Sequence, residues 1–251
     1  MNQLVRVTGM VLSAVSIGEH DKRVVILTKE RGKISAFARG ARRQNSQLQA
    51  GTNSFAFGEF WLREGRDAYS IDQISISNYF RELAADIEGV YYGYYFLELA
   101  DYYGKENADA LPLLKLLYQT CRALMKPALS RPLIRRIFEL KALEINGEYP
   151  QMFSCSYCGG RDDLVMFSAE RGGAVCRECG KLPKDGIEIS PAAMYAMQFV
   201  LSSSIEKLYT FQVSEQVQKE LSMVLNRHMD RYVDKKFKTL DILHVMVENI
   251  Q

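Results

Sequence analysis

Four of the five cysteines in this 251-residue chain lie in one short stretch, Cys155 and Cys158 in CSYC and Cys176 and Cys179 in CREC. A loop of roughly fifteen to twenty residues separates the pairs, the spacing of a zinc ribbon or knuckle. A CxxC turn lets two thiolates point at one tetrahedral ion. Gly159, Gly160 and Gly180 follow the pairs, where the backbone must turn tightly. Two disulfides would use the same residues. No signal-peptide pattern is visible in MNQLVRVTGMV, so a reducing compartment is expected and disulfides are disfavoured. Four thiolates close the shell of a zinc ion and leave no position for an activated water. The expected cofactor is therefore structural Zn2+. Cys121 stands alone in an apolar helical pattern and reads as core.

A second kind of chemistry is carried by charge. Between residues 22 and 43 lie Lys22, Arg23, Lys29, Arg31, Lys33, Arg39, Arg42 and Arg43, opposed there by Glu30 alone, while the whole chain carries a formal +2. Placed on adjacent strands and the loop after them, these residues would form one basic face. Such a face attracts phosphate by releasing counterions and does not read sequence. Phe37, Phe55, Phe57 and Trp61 are the rings on which bases could stack beside it, although strand alternation sends most of them to the core. The bland alternative is a solvated strand face with a disordered ARRQNSQ loop. Arg131, Arg135 and Arg136 make a weaker cluster on one helix, able to receive an acidic peptide or simply to be solvated. The run Tyr91-Tyr92-Gly93-Tyr94-Tyr95 sits in a helical context and reads as interhelical packing.

Signatures of catalysis are missing. His20, His228 and His244 fall in no HExxH arrangement. Gly32-Lys33 lacks the earlier glycine and the following Ser/Thr of a phosphate-binding loop, and reads as a hairpin turn. No GxSxG and no acidic cluster for two-metal chemistry is present. Nothing favours an enzyme.

The elements that must position these groups change period along the chain. Residues 1–80 read as five short strands: Val5 to Leu12 broken at Gly9, Val24–Leu27, Ile34–Phe37 after a Lys29–Gly32 hairpin turn, Phe55–Leu62, and Tyr69–Ile76 after the REGRD turn (63–67). Five β-branched and aromatic strands predict a small barrel, with an OB-fold the commonest solution and an SH3-like barrel the same in pattern. From residue 81 the period is helical. Helices are expected over 87–103, 111–125, 133–145 and 190–201, a long amphipathic one over 213–232, and a short one over 239–247. The cysteine segment, 152–185, interrupts this helical domain of 81–251. The class is α+β. Composition is globular, with 47% hydrophobic residues and no run long enough to span a bilayer, so a cytoplasmic protein with no membrane attachment is expected.

Several stretches, in order, are similar to one family. Val7-Thr8-Gly9, Gly-Glu-His-Asp (18–21), Leu-Thr-Lys-Glu-Arg-Gly-Lys (27–33) and Ala-Arg-Gly-Ala-Arg-Arg (38–43) resemble the N-terminal domain of the bacterial recombination mediators of the RecO family. FELKALEINGEYP (138–150) running into CSYCGG, FSAERGGAVCREC (167–179), ISPAAM (189–194) and KFKTLDIL (236–243) continue the likeness over essentially the whole chain. The resemblance implies an OB-fold followed by a helical domain with a zinc-finger-like insertion. It also implies binding of single- and double-stranded DNA, strand annealing, and recombinase loading at single-stranded gaps during repair. The implied partners are RecR and the C-terminal tail of the single-stranded-DNA-binding protein, and the implied place is the cytoplasm, on the nucleoid. A zinc-ribbon factor that binds RNA or polymerase is the alternative of another class, and an enzyme with a dispersed site is a third. DNA annealing without nucleotide separates the first from the others.

Overall fold

The structure, a computed structural model, describes residues 4–66 and 68–248; Asp67, the last residue of the REGRD turn, lies outside them. β1 (Leu4–Ile17) organises the first part of the chain. Its first half pairs antiparallel with β4 (Phe57–Arg63), and its second half with β2 (Asp21–Thr28). Gly9 does not break the strand. It stands opposite Gly58 on one side and Thr28 on the other, where a Cβ would lie 2.5 Å from the Leu27 carbonyl oxygen. Glycine lets three backbones approach, and a register shift between Val11 and Ser13 then bends the strand so that one strand can serve two neighbours.

β3 (Gly32–Ala38) continues from β2 through the Thr28–Gly32 hairpin, and β5 (Tyr69–Asn78) pairs antiparallel with β4 and parallel with β3. The order β1-β2-β3-β5-β4 closes on β1, which is the five-stranded OB barrel and excludes the SH3-like alternative. Alternating residues fill it, among them Val7, Val11, Val24, Ile26, Ile34 and Phe60. Each such side chain contributes about 1.5–3 kcal/mol on full burial. The expected fourth strand begins later than its phenylalanines imply. Phe55 has φ 72°, is buried, and packs its ring against Tyr94 at 5.2 Å. Its ring also fills the space left by Gly93, where a Cβ would come within 2.8 Å of it. Packing on a helix has overridden strand propensity.

The helices follow as α1 (Arg81–Ala85), α2 (Ile87–Tyr103), α3 (Leu111–Leu124), α4 (Arg131–Ile145), α5 (Pro191–Ser202), α6 (Glu215–Tyr232) and α7 (Lys238–Glu248). Ser190 and Ser214 cap α5 and α6 by accepting from the N–H groups of Ala193 and Val217. Tyr92 and Tyr95 of α2 are buried, as interhelical packing requires. The chain forms two compact units: residues up to Met125 together with Phe237 onward, and Lys126–Lys236. The sequence changes period at residue 80, but α2 and α3 pack on the barrel strands and α7 packs on α2. Within the second unit, the cysteine segment adds a small sheet of β6 (Leu164–Ser168), β7 (Gly173–Cys176) and β8 (Ile187–Glu188), in the order β7-β6-β8. No described helix is long and apolar enough to cross a membrane.

Candidate nucleic-acid interface and metal centre

The eight cations of residues 22–43 divide between the two ends of the β2–β3 hairpin. Strand rise separates Lys22 from Lys29 by roughly 20 Å. At the hairpin-turn end Arg31 pairs with Glu64 at 3.1 Å, and Lys33 with Asp101 at 3.3 Å. Lys29 is exposed at that turn. At the other end lie Lys22, Arg23, Arg39, Arg42 and Arg43. Among the described residues no carboxylate pairs with any of these five: Lys22 Nζ donates to Asn53 Oδ1 at 2.7 Å, Arg23 Nε to Ser35 Oγ at 2.8 Å, and Arg42 Nη1 to the Gly18 carbonyl at 3.2 Å. Burial, and then the charge of Arg42, lower the Lys22 pKa, so two cations stand close together with only neutral partners.

The loop that carries the arginines is built rather than loose. Ala41 is fully buried in the barrel core, and Gly40 turns the chain at φ 68°. Asp21 Oδ1 accepts from the Gly40 N–H at 2.7 Å, and the His20 carbonyl accepts from the Arg42 N–H at 2.9 Å. Small residues point inward while Arg39, Arg42 and Arg43 point to solvent. Of the four candidate rings, Phe37 alone is exposed. Phe55 is buried, Trp61 is half-buried, and Phe57 packs on Tyr118 at 4.6 Å.

Cys155, Cys158, Cys176 and Cys179 come together as their spacing predicts. Their sulfurs all lie within 4.8 Å of one another, and Cys158 and Cys176 are 3.7 Å apart. A tetrahedron with metal–sulfur bonds near 2.3 Å has edges of about 3.8 Å, whereas disulfide sulfurs sit about 2.05 Å apart. All four cysteines are free thiols, and the cluster can hold a metal ion. The first pair sits on a turn in which Gly159, at φ 76°, donates its N–H to the Cys155 carbonyl, and Cys155 donates to Gly160. The second begins at the end of β7. Gly180 packs closely there, since a Cβ would lie 2.9 Å from Met166 Sδ. Burial pushes the Cys155 pKa up, but backbone N–H groups of Cys158, Cys176 and Tyr157 outweigh it and bring the thiol to about 6. Burial and neighbouring sulfurs raise Cys179 to about 12. One thiolate is thus ready near neutral pH to begin metal binding. Cys121 is fully buried elsewhere, its pKa pushed to about 12 by burial.

The third predicted cluster is placed differently from a solvated helix face. Arg135 and Arg136 are only 8% and 7% exposed, each bound to the fully buried Glu139 at 2.8 Å. Arg136 also donates to Ser222 Oγ and Asn226 Oδ1 of α6. Arg131 is half-buried at the start of α4. The sequence reading missed an apolar groove of about 540 Å³ lined by Tyr195, Ala196, Phe199, Phe211, Val213 and Val217, with Tyr195 68% exposed. Its signal, aromatic residues on either side of a short break between α5 and α6, is indistinguishable in sequence from core.

Two family descriptions match this chain: recombination protein O N terminal over residues 1–80, and recombination protein O C terminal over residues 84–241. The chain belongs to the RecO family. It is similar to the DNA repair protein RecO of Acetivibrio thermocellus, 33% identical over 247 residues that cover 98% of each chain. It is 32% identical to that of Alkaliphilus metalliredigens over 241 residues, 95% of this chain and 98% of the relative. The RecO protein of Clostridium novyi is 31% identical over 238 residues, 94% and 92% of the two chains. Membership in the RecO family gives this chain a role in DNA repair and recombination.

Proposed function

We propose that this chain is a non-enzymatic mediator of recombinational repair that binds single- and double-stranded DNA through the cationic end of its barrel and anneals complementary strands. The observation that supports this most is the set of five cations, Lys22, Arg23, Arg39, Arg42 and Arg43, none paired with a carboxylate among the described residues, on a hydrogen-bonded loop and adjacent strands. Complementary strands repel because both are densely charged. A cationic surface screens them without occupying the Watson–Crick edges, so bases remain free to pair. No nucleotide is needed, in keeping with a Gly32-Lys33 that forms a hairpin turn. Arg31 and Lys33 would extend the path only if DNA displaced Glu64 and Asp101, whereas Lys29 is already exposed. Recombinase loading at gaps, with RecR as partner in the cytoplasm, completes the reading by family likeness. Strand annealing by the purified chain without nucleotide tests it: accelerated duplex formation is expected, and no acceleration over a protein-free control would contradict it.

The ion assigned to the four thiolates is zinc, because soft sulfur donors in a closed tetrahedral set suit it best. When bound, it supplies cross-linking and no reaction. Docking of the acidic, apolar-ended tail of the single-stranded-DNA-binding protein was assigned on sequence to Arg131, Arg135 and Arg136. With Arg135 and Arg136 buried, the better support comes from a groove of about 370 Å³ beside the start of α4, lined by Ala128, Ser130, Leu133, Val213, Gln218 and Lys219. The groove also carries Glu215 beside Lys219, so its apolar lining rather than net charge is what suits the apolar end of such a peptide, an exposed charge alone contributing only about 0–1 kcal/mol. Lys219→Glu is expected to weaken binding of a tail peptide and leave DNA affinity alone. Unchanged peptide affinity would remove this groove from consideration.

A further inference from the structure

The outside of the barrel is covered at one end and bare at the other. Register sets Val15 of β1 opposite Arg23 of β2, Arg23 opposite Phe37 of β3, and Phe37 beside Ser70 of β5. Period two carries that outer row inward to Val25 and Ser35, which are half-buried, and then to Leu27 and Lys33. There the chain's own helix takes over. Leu27 is fully buried against the end of α2, and Lys33 is held by Asp101. The first row is open to solvent: Val15 is 63% exposed and Phe37 37% exposed, while Ala36 and Ala38 on either side of Phe37 are fully buried. The bare end is also the end where, among the described residues, the cations pair with no carboxylate. Arg23, held by Ser35, sits between the two apolar side chains, and Arg39 follows Phe37 by two residues.

Cations alone do not distinguish a single strand from a duplex, since both present phosphate. An exposed ring does. In a duplex each base face is covered by its neighbours, and only edges reach the grooves. In a single strand a face can leave the stack and lie on a ring. We propose that Phe37 is a stacking shelf for one unpaired nucleobase, and is the residue that makes this surface prefer single strands to duplex. The inference rests on the reading that the barrel end binds DNA. The charge around the ring selects its occupant: an exposed ring beside Arg23, with Lys22, Arg39, Arg42 and Arg43 at the same end of the barrel, fits a polyanion with apolar faces. One ring holds one base, so the strand is gripped by phosphate along its length and by a base at a single point.

The test compares wild type with Phe37→Ala and Phe37→Tyr on oligo-dT and on a blunt duplex over a salt series. Phe37→Ala is expected to weaken oligo-dT binding about 5- to 30-fold. Duplex affinity and the salt slope should stay unchanged, because no phosphate contact is lost, and Phe37→Tyr should restore oligo-dT binding. In a Trp61→Phe background, Phe37→Trp should give an indole emission quenched by oligo-dT and not by duplex. Equal losses on both substrates, or an alanine variant as tight as wild type on oligo-dT, would overturn the assignment. A drop in oligomeric state with unchanged affinity would instead make the row a contact between copies and overturn it as well. If wild type binds neither substrate, the parent reading fails with it; if wild type binds and Phe37→Ala changes nothing, this inference fails alone.

Discussion

At the scale of single residues, chemistry that depends on spacing along the chain was legible, and chemistry that depends on a distant neighbour was not. The four cysteines that could hold a metal ion come from two CxxC turns. Cys176→Ser should therefore lower bound zinc from about one ion per chain toward none and raise hydrogen exchange over 152–185, while Cys121→Ala keeps the metal. Metal analysis with exchange on the same samples checks both. The fate of Arg135 and Arg136 could not be read. Glu139 stands at helical spacing from both, but burial is set by α6, whose Ser222 and Asn226 lie more than eighty residues away and bind Arg136. Removing the shared carboxylate by Glu139→Leu should destabilise the chain by about 3–5 kcal/mol, since it leaves buried guanidinium charge uncompensated. A melt within a degree of wild type would refute that. His228 offers a pH prediction. Its Nε2–H donates to the Glu148 carbonyl at 2.6 Å, and Nδ1 is buried with no hydrogen-bond partner, so protonation would bury an unsatisfied N–H. Burial lowers its pKa from 6.5. The unfolded chain thus takes up the proton first, and stability should be present above about pH 6.5 and fall as pH drops below it. Chemical denaturation of wild type and His228→Gln between pH 8 and 5 should show the difference between them shrinking toward acid.

At the scale of elements, period carried most of the information. The helices at 87–103 and 111–124, and the strand sequence that closes as an OB barrel, fall where apolar alternation and proline caps place them. Gly9 was read as an interruption because glycine weakens a strand. In the barrel it is a point of close backbone approach, a property of two partner strands rather than of the local sequence. Phe55 was read into β4 on propensity, yet the space beside Gly93 in α2 decides its place. The short α1 and the β6–β8 sheet went unread because neither is long enough to show a period. The closing contacts make a sharp prediction. A Cβ at Gly58 would lie 2.2 Å from the Ser75 carbonyl oxygen. Gly58→Val should cost at least about 1–3 kcal/mol and lower the barrel's exchange protection. The denaturant midpoint of the variant against wild type decides it, and an unchanged midpoint would refute the close approach.

At the scale of the whole molecule, the sequence showed that cations cluster in residues 22–43 but not that a hairpin separates them. Strand antiparallelism sends Lys29, Arg31 and Lys33 to one end of the barrel and leaves Lys22, Arg23, Arg39, Arg42 and Arg43 at the other. The central claim is that this second end holds DNA. Its most direct test is the salt dependence of oligo-dT affinity for wild type and for Arg39→Ala/Arg42→Ala/Arg43→Ala. The three side chains are exposed, so the variant should melt close to wild type. The slope of log affinity against log salt should become shallower by about 0.7 for each contact removed, hence by about 2 in all, with affinity at low salt falling in step. A triple variant with the affinity and slope of wild type would contradict the account and move the DNA path off this end of the barrel.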